Sequence, residues 1–153
     1  PDHDWQLDLA VLEPPADATA AEAEDFLPEP PLVIGDEARL RQVIVNLLAN
    51  ARVHTPAGSH VTTTLARERD TLIVRIHDDG PGIAPDVRDR LFERFARGDS
   101  SRERRTGSTG LGMAIALAIV QSHGGSIDVD SSTAPEDHGT TFTVRLPAAA
   151  VEE

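Results

Sequence analysis

Two asparagines spaced four residues apart are the first residues of this chain whose types and spacing suggest chemistry. Asn46 and Asn50 lie in the segment Asn46-Leu-Leu-Ala-Asn50-Ala51, and this spacing places both side chains on the same side of a helix. They fall beside the apolar residues of that helix, where an amide without a partner would cost free energy. The pattern fits either two surface amides or a pair of ligand-binding groups.

Two glycine-rich segments could also contact a ligand. Asp78-Asp79-Gly80-Pro81-Gly82 follows a predicted strand; its glycines allow a close approach of the backbone to a bound group, and Asp78 offers a carboxylate. The run from Gly107 to Gly112 leads into a predicted helix, whose first N–H groups and dipole favour phosphate. Taken alone, each segment is common, and Asp78 would be read as a turn residue.

Composition narrows the classes of function. The 153 residues favour one domain over 1–153 that is long enough to bury a core. The net charge of −12 argues against nucleic-acid binding. All 14 basic residues are arginine, which excludes a P-loop and a lysine Schiff base, and without cysteine there is no disulfide framework. No apolar run could span a bilayer and no signal-peptide pattern is present, so we expect a cytoplasmic domain without membrane contact.

Periodicity and turn residues predict a two-layer α+β fold, an α/β sandwich. Its mixed, mostly antiparallel five-stranded sheet is covered on one face by about three helices. An acidic, mobile loop is expected over 13–31 and a polar segment over 97–109. Six segments have strand patterns, one more than the five strands of the predicted sheet: 4–9, a short buried strand at 32–34, 61–65 and 72–76 joined by a tight turn at Arg69-Asp70, 127–129 and 142–146. The predicted helices are 39–53 after an Asp36 cap, a short one at 85–92, and 111–122 before Gly124-Gly125.

Four segments in chain order carry a resemblance to a known family. They are Asn46–Ala51, Asp78–Gly82, Leu91-Phe92-Glu93-Arg94-Phe95 and Gly107–Met113. The set resembles the N, G1, F and G2 boxes of the catalytic and ATP-binding domain of sensor histidine kinases. That domain has the Bergerat ATP-binding fold, shared with gyrase, MutL and a heat-shock chaperone. The resemblance extends over about residues 32 to 146 and implies that 97–109 is an ATP lid.

The resemblance implies roles for individual residues. Asn50 would coordinate Mg²⁺ through its side-chain oxygen, a hard ligand suited to that ion. Asn46 stands where ATP-hydrolysing relatives carry a glutamate that activates water; since an amide cannot act as a base, phosphoryl transfer is favoured over hydrolysis. Arg97 would reach the γ-phosphate, and Asp78 would accept a hydrogen bond from the adenine amino group. The other implied nucleotide-binding residues are His54, Gly80, Gly82, Ile83, Thr109, Gly110, Leu111, Gly112 and Thr140.

The chain departs from the family pattern at several positions. Asp79 replaces the usual Asn and Ser108 a usual Gly. Val53 occupies a position where many members place a basic residue against phosphate, and Arg52 lies one residue earlier, about 100° around the helix. No His-Glu-x-x-Pro phosphoacceptor motif is present.

These features lead to one function and two alternatives. We expect a monomeric catalytic domain of a two-component protein-histidine kinase with ATP and Mg²⁺ as cofactors. Its partners would be a phosphoacceptor-histidine dimerisation domain, absent from this chain, and a downstream response regulator. The alternatives are an anti-sigma-factor-type serine kinase and an ATP-sensing scaffold without catalysis. The F box and the long glycine-rich lid favour the histidine kinase. The absence of a basic residue at Val53 leaves the non-catalytic ATP-sensing scaffold as an alternative.

Overall fold

The computed structural model describes residues 3–9, 17–25, 32–85 and 111–149. The predicted helix beyond Pro85, the F box and the segment 97–109 lie outside these residues. The strands are β1 (Asp4–Asp8), β2 (His60–Glu68), β3 (Thr71–Asp78), β4 (Ser126–Ser132) and β5 (Gly139–Pro147), and the helices are α1 (Ala20–Glu24), α2 (Glu37–His54) and α3 (Leu111–Ser122).

The five strands form one sheet in the order β1-β2-β3-β5-β4. β1 runs parallel to β2 at one edge, and the other three pairings are antiparallel. Glu68 pairs with Thr71, so β2 and β3 are joined by the two-residue turn Arg69-Asp70. Arg69 has φ 57°, as turns that match the strand twist require. The predicted fold class is confirmed.

Helices α2 and α3 pack side by side over one face of this sheet. α2 begins at its N-cap Asp36, whose side chain accepts a hydrogen bond from the Arg39 N–H at 3.1 Å. Burial of a large apolar side chain contributes about 1.5–3 kcal/mol, and this core therefore fixes both helices on the sheet. The core residues are Val43, Leu47 and Ala51 of α2, Met113, Ala116, Ile119 and Val120 of α3, and Val61, Ile76, Ile127, Phe142, Val144 and Leu146 of the sheet.

The prediction of a short buried strand at 32–34 is wrong. Leu32 is 53 % and Ile34 85 % exposed, and only Val33 packs against the core. A strand needs a partner along its edge, and β5 is already flanked by β3 and β4. Leu32 accepts one backbone hydrogen bond, from the Ala149 N–H at 2.6 Å, beyond the end of β5.

The prediction of irregular structure throughout 13–31 is wrong at helix α1. Thr19 accepts a hydrogen bond from the Glu22 N–H at 3.3 Å, and the Glu22 carboxylate accepts one from the Thr19 N–H at 2.7 Å. This reciprocal capping box starts a five-residue helix. All its residues are exposed, so α1 adds nothing to the core. Of the helices in the described ranges, none has the length and apolar character needed to cross a bilayer.

Candidate functional site

Asp78 ends β3 at the edge of the core. It is 5 % exposed, and its Oδ1 accepts a hydrogen bond from the Gly80 N–H at 3.0 Å. Burial raises the pKa of this carboxyl, while the hydrogen bond from Gly80 and the nearby His77 and His54 oppose the shift. A buried carboxylate with one oxygen fixed by its own turn is a directional acceptor for a ligand N–H.

Thr140 lies directly opposite Asp78 in the β3–β5 register. It is 4 % exposed, and its hydroxyl is 2.8 Å from that of Ser131 on β4. Both Asp78 and Thr140 are predicted site residues, and the sheet brings them together although they lie far apart in the sequence. Strand pairing, which the core stabilises, therefore sets their separation.

The glycines of the Asp78–Gly82 turn are required by contacts within the protein. A Cβ on Gly80 would lie 2.5 Å from the Thr55 methyl group. A Cβ on Gly82 would lie 2.1 Å from the Ser132 carbonyl oxygen, and Gly82 has φ 83°, a conformation that residues with a side chain rarely adopt. From the sequence, these glycines were expected to let the backbone approach a ligand. The structure shows that they also let it pack against the end of α2 and against β4.

The turn is also held from the β4–β5 side. The His138 Nδ1 lies 2.6 Å from the Gly80 carbonyl oxygen and donates to it. The Ile83 N–H donates to the Ser131 hydroxyl at 2.7 Å. Hydrogen bonds to the backbone on both sides of Gly82 fix the course of the turn. Ile83, a predicted site residue, packs partly buried against the core.

Asn46 connects α2 to the beginning of α3. Its Nδ2 donates to the Gly112 carbonyl oxygen at 3.1 Å, and its Oδ1 accepts from the Gln42 Nε2 at 2.5 Å. The first predicted asparagine thus contacts Gly112, the last glycine of the glycine-rich run, in the first turn of α3. The amide that the sequence placed near the apolar face is half-buried, with one hydrogen bond at its nitrogen and one at its oxygen.

Asn50 and His54 follow on the next two turns of α2. Asn50 is half-buried, and none of its side-chain atoms hydrogen-bonds another residue of the described ranges, which leaves its amide oxygen able to accept a ligand. Partial desolvation beside the helix surface lowers the pKa of the His54 imidazole, and the Asp78 carboxylate opposes that shift. The interaction places His54 on the Asp78 side of the site.

Asp79 has a partner outside the site. Its Oδ1 accepts from the His60 N–H at 2.7 Å and its Oδ2 lies 2.8 Å from the His60 Nδ1. Although desolvation would raise its pKa, the hydrogen bonds and charge of His60 lower it overall. A carboxylate in place of the family's usual asparagine is therefore accommodated by this histidine. Val53 and Arg52 are both exposed.

Some predicted site residues cannot be placed. Arg97, Thr109 and Gly110 lie outside the described residues, and Leu111 is described only as the first residue of α3. Two further residues of the described site, Gln42 and His138, were not predicted from the sequence. Gln42 could have been found from its position one turn before Asn46. His138 has no comparable signal, since it contacts a backbone carbonyl 58 residues away.

Comparison with known proteins supports the resemblance drawn from the motifs. The family model described as histidine kinase-, DNA gyrase B-, and HSP90-like ATPase matches residues 35–150. The probable sensor histidine kinase TcrY of Mycobacterium tuberculosis is 48 % identical over 147 residues, 96 % of this chain and 26 % of TcrY. Sensor histidine kinase RppB of Synechocystis is 43 % identical over 117 residues, 76 % of this chain and 25 % of RppB.

Solved structures agree with this fold. The mycobacterial sensor histidine kinase MprB superposes with a TM-score of 0.71 at 29 % identity, covering 98 % of this chain and 85 % of the MprB chain. Full-length ShkA in complex with AMPPNP gives a TM-score of 0.71 at 26 % identity, covering 99 % of this chain and 27 % of ShkA.

The chain spans about a quarter of the curated relatives it matches. Within that span, the family model covers most of the chain and the fold agrees with histidine kinase catalytic domains. The prediction of an ATP-binding domain of the sensor histidine kinase type is confirmed. The chain belongs to the family of histidine kinase-, DNA gyrase B- and HSP90-like ATPases.

Proposed function

We propose that this domain binds Mg-ATP and transfers the γ-phosphoryl group to a histidine on a separate helical dimerisation domain. The observation that carries the proposal is the Asn46 amide, which donates to the Gly112 carbonyl oxygen at 3.1 Å. A group that donates here has no basic atom with which to activate water. Catalysis would then consist of positioning and electrostatic stabilisation of the transferred group.

Asp78 would select adenine within this site. Its buried carboxylate accepts from Gly80 at one oxygen and would accept the adenine amino group as well. Thr140, its cross-strand neighbour, would lie close to the same ring. Hydrogen bonds to Gly80 and to Ile83 fix the turn that holds Asp78. The conformational entropy lost on ligand binding would therefore be small.

The phosphate side would be formed by α2 and the beginning of α3. The half-buried amide oxygen of Asn50 fits the preference of Mg²⁺ for hard oxygen ligands. When bound, this ion would neutralise phosphate charge. The N–H groups of the first turn of α3 would hold phosphate oxygens, and Arg97, by its resemblance to the family arginine, would reach the γ-phosphate.

The intact protein would be a sensor kinase. Its relatives TcrY and RppB are named sensor histidine kinases and are about four times longer than the matched region. We therefore propose a phosphoacceptor-histidine domain of the same protein as the phosphoryl acceptor, with a response regulator as the next recipient. The ATP-binding domain would be monomeric and lie in the cytoplasm.

A phosphotransfer assay tests this function. The domain is incubated with radiolabelled Mg-ATP and the histidine-bearing dimerisation domain of the intact protein, or a serine-bearing anti-sigma antagonist. We expect label on the histidine domain only, as an acid-labile, base-stable product. Transfer should need high concentrations, because separating the domains removes the effective concentration that tethering provides.

Other results would select a different function. An acid-stable phosphoester on serine would indicate the anti-sigma-type kinase. Binding of ATP without label on either acceptor would indicate the scaffold, for which the exposed Val53 in place of a basic residue is the supporting feature. Replacing Asn46 by alanine should abolish transfer in the same assay.

A further inference from the structure

Two consecutive hydrogen bonds lead from Gln42 to Asn46 within α2 and from Asn46 to Gly112 of α3. Their direction is fixed at the Gly112 end. A peptide carbonyl can only accept, so the Gly112 oxygen requires the Asn46 Nδ2 to face it, at 3.1 Å. The Asn46 Oδ1 then faces back along α2, where the Gln42 Nε2 donates to it at 2.5 Å. The side-chain amides of Gln42 and Asn46 must each adopt one of their two possible orientations for both hydrogen bonds to exist.

We propose that Gln42 is a positioning residue of the nucleotide site, acting through Asn46 on the first turn of α3. The inference rests on the proposed function, since it assumes that phosphates bind at that turn. Gln42 lies one helical turn before Asn46 and is exposed, and it is not part of the hydrophobic core. Its side chain is therefore dispensable for packing, while it supplies the donor that the Asn46 oxygen needs.

Removing the donor changes what Asn46 can do. With Gln42 absent, the Gly112 carbonyl group alone favours the Asn46 orientation in which the NH₂ group faces it, and the Asn46 oxygen has lost its donor on α2. In the flipped orientation the Asn46 oxygen would face the Gly112 oxygen, two acceptors without a proton between them. The beginning of α3 would then lose its polar contact with α2 for part of the time, and its N–H groups would be less well placed for phosphate.

Gln42→Met tests the proposal because methionine keeps the length of the side chain but cannot donate. Gln121→Met is the matched control, an exposed glutamine near the end of α3. Affinity for the Mg complex of a nonhydrolysable ATP analogue is measured by calorimetry, with thermal melting of each variant. We expect Gln42→Met to weaken binding about three- to tenfold, the range of one lost hydrogen bond, and Gln121→Met to leave it unchanged.

A second arm separates positioning from a general structural effect. In the Asn46→Ala background, Gln42→Met should have no further effect, because the group through which it acts is gone. In the nucleotide-free protein, NMR should show faster exchange of the Asn46 side-chain amide protons in Gln42→Met than in the wild type. This last measurement does not depend on nucleotide binding.

The outcomes are distinguishable. Wild-type affinity and unchanged Asn46 exchange in Gln42→Met would overturn the proposal, and so would an equal loss of affinity in both backgrounds. If the wild-type chain does not bind the analogue, the proposed function fails. In that case the positioning of Asn46 by Gln42 is still decided by the exchange measurement, and its link to phosphate binding is refuted.

Discussion

The proposed adenine side and the proposed phosphate side of the candidate site are built differently. On the adenine side, Asp78 and Thr140 are buried at the ends of paired strands, and Gly82 lies where any side chain would meet the Ser132 carbonyl group. On the phosphate side, Asn46 and Asn50 lie half-buried on the surface of α2. In the described residues, the Asn46 side chain is hydrogen-bonded to Gln42 and Gly112, and Asn50 to none.

Because of this difference, substitutions on one side should affect both folding stability and ligand binding, and substitutions on the other should affect ligand binding alone. The adenine side is part of the folded core, so its shape is set before a ligand arrives and its residues contribute to both properties. On the phosphate side, Asn46 and Asn50 lie beside the buried face of α2 but are not part of the hydrophobic core, so they can change with little disturbance of the core. Substitutions on the two sides should therefore have different combinations of effects.

Gly82→Ala should give the largest effect. The new methyl group would lie 2.1 Å from the Ser132 oxygen at a residue with φ 83°, so strain and overpacking should together lower the free energy of unfolding by about 3 kcal/mol or more. Gly58→Ala is the matched control, because Gly58 has φ 88° but nothing within 4 Å of the added Cβ. It should lose only about 1 kcal/mol. Urea denaturation measures both.

Equal losses in the two alanine variants would contradict this comparison. They would mean that the contact between the Gly82 turn and β4 is loose enough to move, and that the adenine side is not fixed by the fold. Nucleotide affinity of the folded Gly82→Ala protein should also fall, because the turn carrying Asp78 must shift.

Asp78→Asn should change stability and affinity in opposite directions. Affinity for ADP should fall by about 2 kcal/mol, because the amide must keep its oxygen towards Gly80 and would present a donor to the adenine amino group. Stability at neutral pH should rise by on the order of 1 kcal/mol, because a buried charge is removed. Calorimetry and urea denaturation measure the two effects, and a fall in both would refute the burial cost assigned to Asp78.

The pH dependence of that gain follows from the sign of the pKa shift. Burial raises the pKa of Asp78 above its ordinary value of 3.8, so the folded state binds the proton more tightly than the unfolded state. Stability of the wild type should therefore fall as pH rises from 3.8 through the raised pKa. The advantage of Asp78→Asn should grow over the same window, level off above it, and vanish below 3.8. A difference between the two proteins that is constant with pH would contradict the shift.

Asn50→Ala should affect binding alone. The side chain is half-buried and hydrogen-bonds no residue of the described ranges, so the free energy of unfolding should change by less than about 0.5 kcal/mol. Affinity for ATP in Mg²⁺ should fall at least tenfold, about 1.4 kcal/mol, to the value measured in EDTA. Calorimetry with and without Mg²⁺ tests this, and a Mg²⁺-dependent affinity like that of the wild type would remove Asn50 from the metal site.

The sequence allowed prediction of what depends on local pattern. The apolar spacing of Val43, Leu47 and their neighbours and the Asp36 cap predicted α2, and alternation predicted the paired strands. The motifs predicted that Asp78 and Thr140 belong to one site, and the register of β3 and β5 places these two residues side by side. The run at 32–34 misled, because an apolar run becomes a strand only where it pairs along another strand, and in the described ranges its backbone contact is with Ala149, beyond the end of β5.

Contacts with backbone atoms were beyond sequence reasoning. Gly82 is required by a carbonyl group of Ser132, and His138 donates to a carbonyl group of Gly80. A carbonyl group is present at every residue, so no residue type marks it as a partner. Only the fold decides which carbonyl a histidine reaches.

His138→Ala should give the smallest effect on the adenine side. The Nδ1 of His138 lies 2.6 Å from the Gly80 oxygen, and losing this hydrogen bond should weaken ADP binding by about 1 kcal/mol, roughly fivefold, by loosening the turn that carries Asp78. His77→Ala is the control, because His77 makes a comparable contact, 2.8 Å from the Thr141 hydroxyl, on the sheet face opposite the helices. Calorimetry should find its affinity within about twofold of the wild type. If both variants lose affinity equally, the effect comes from the sheet as a whole, and the β4–β5 side does not hold the adenine turn in the way its contacts indicate.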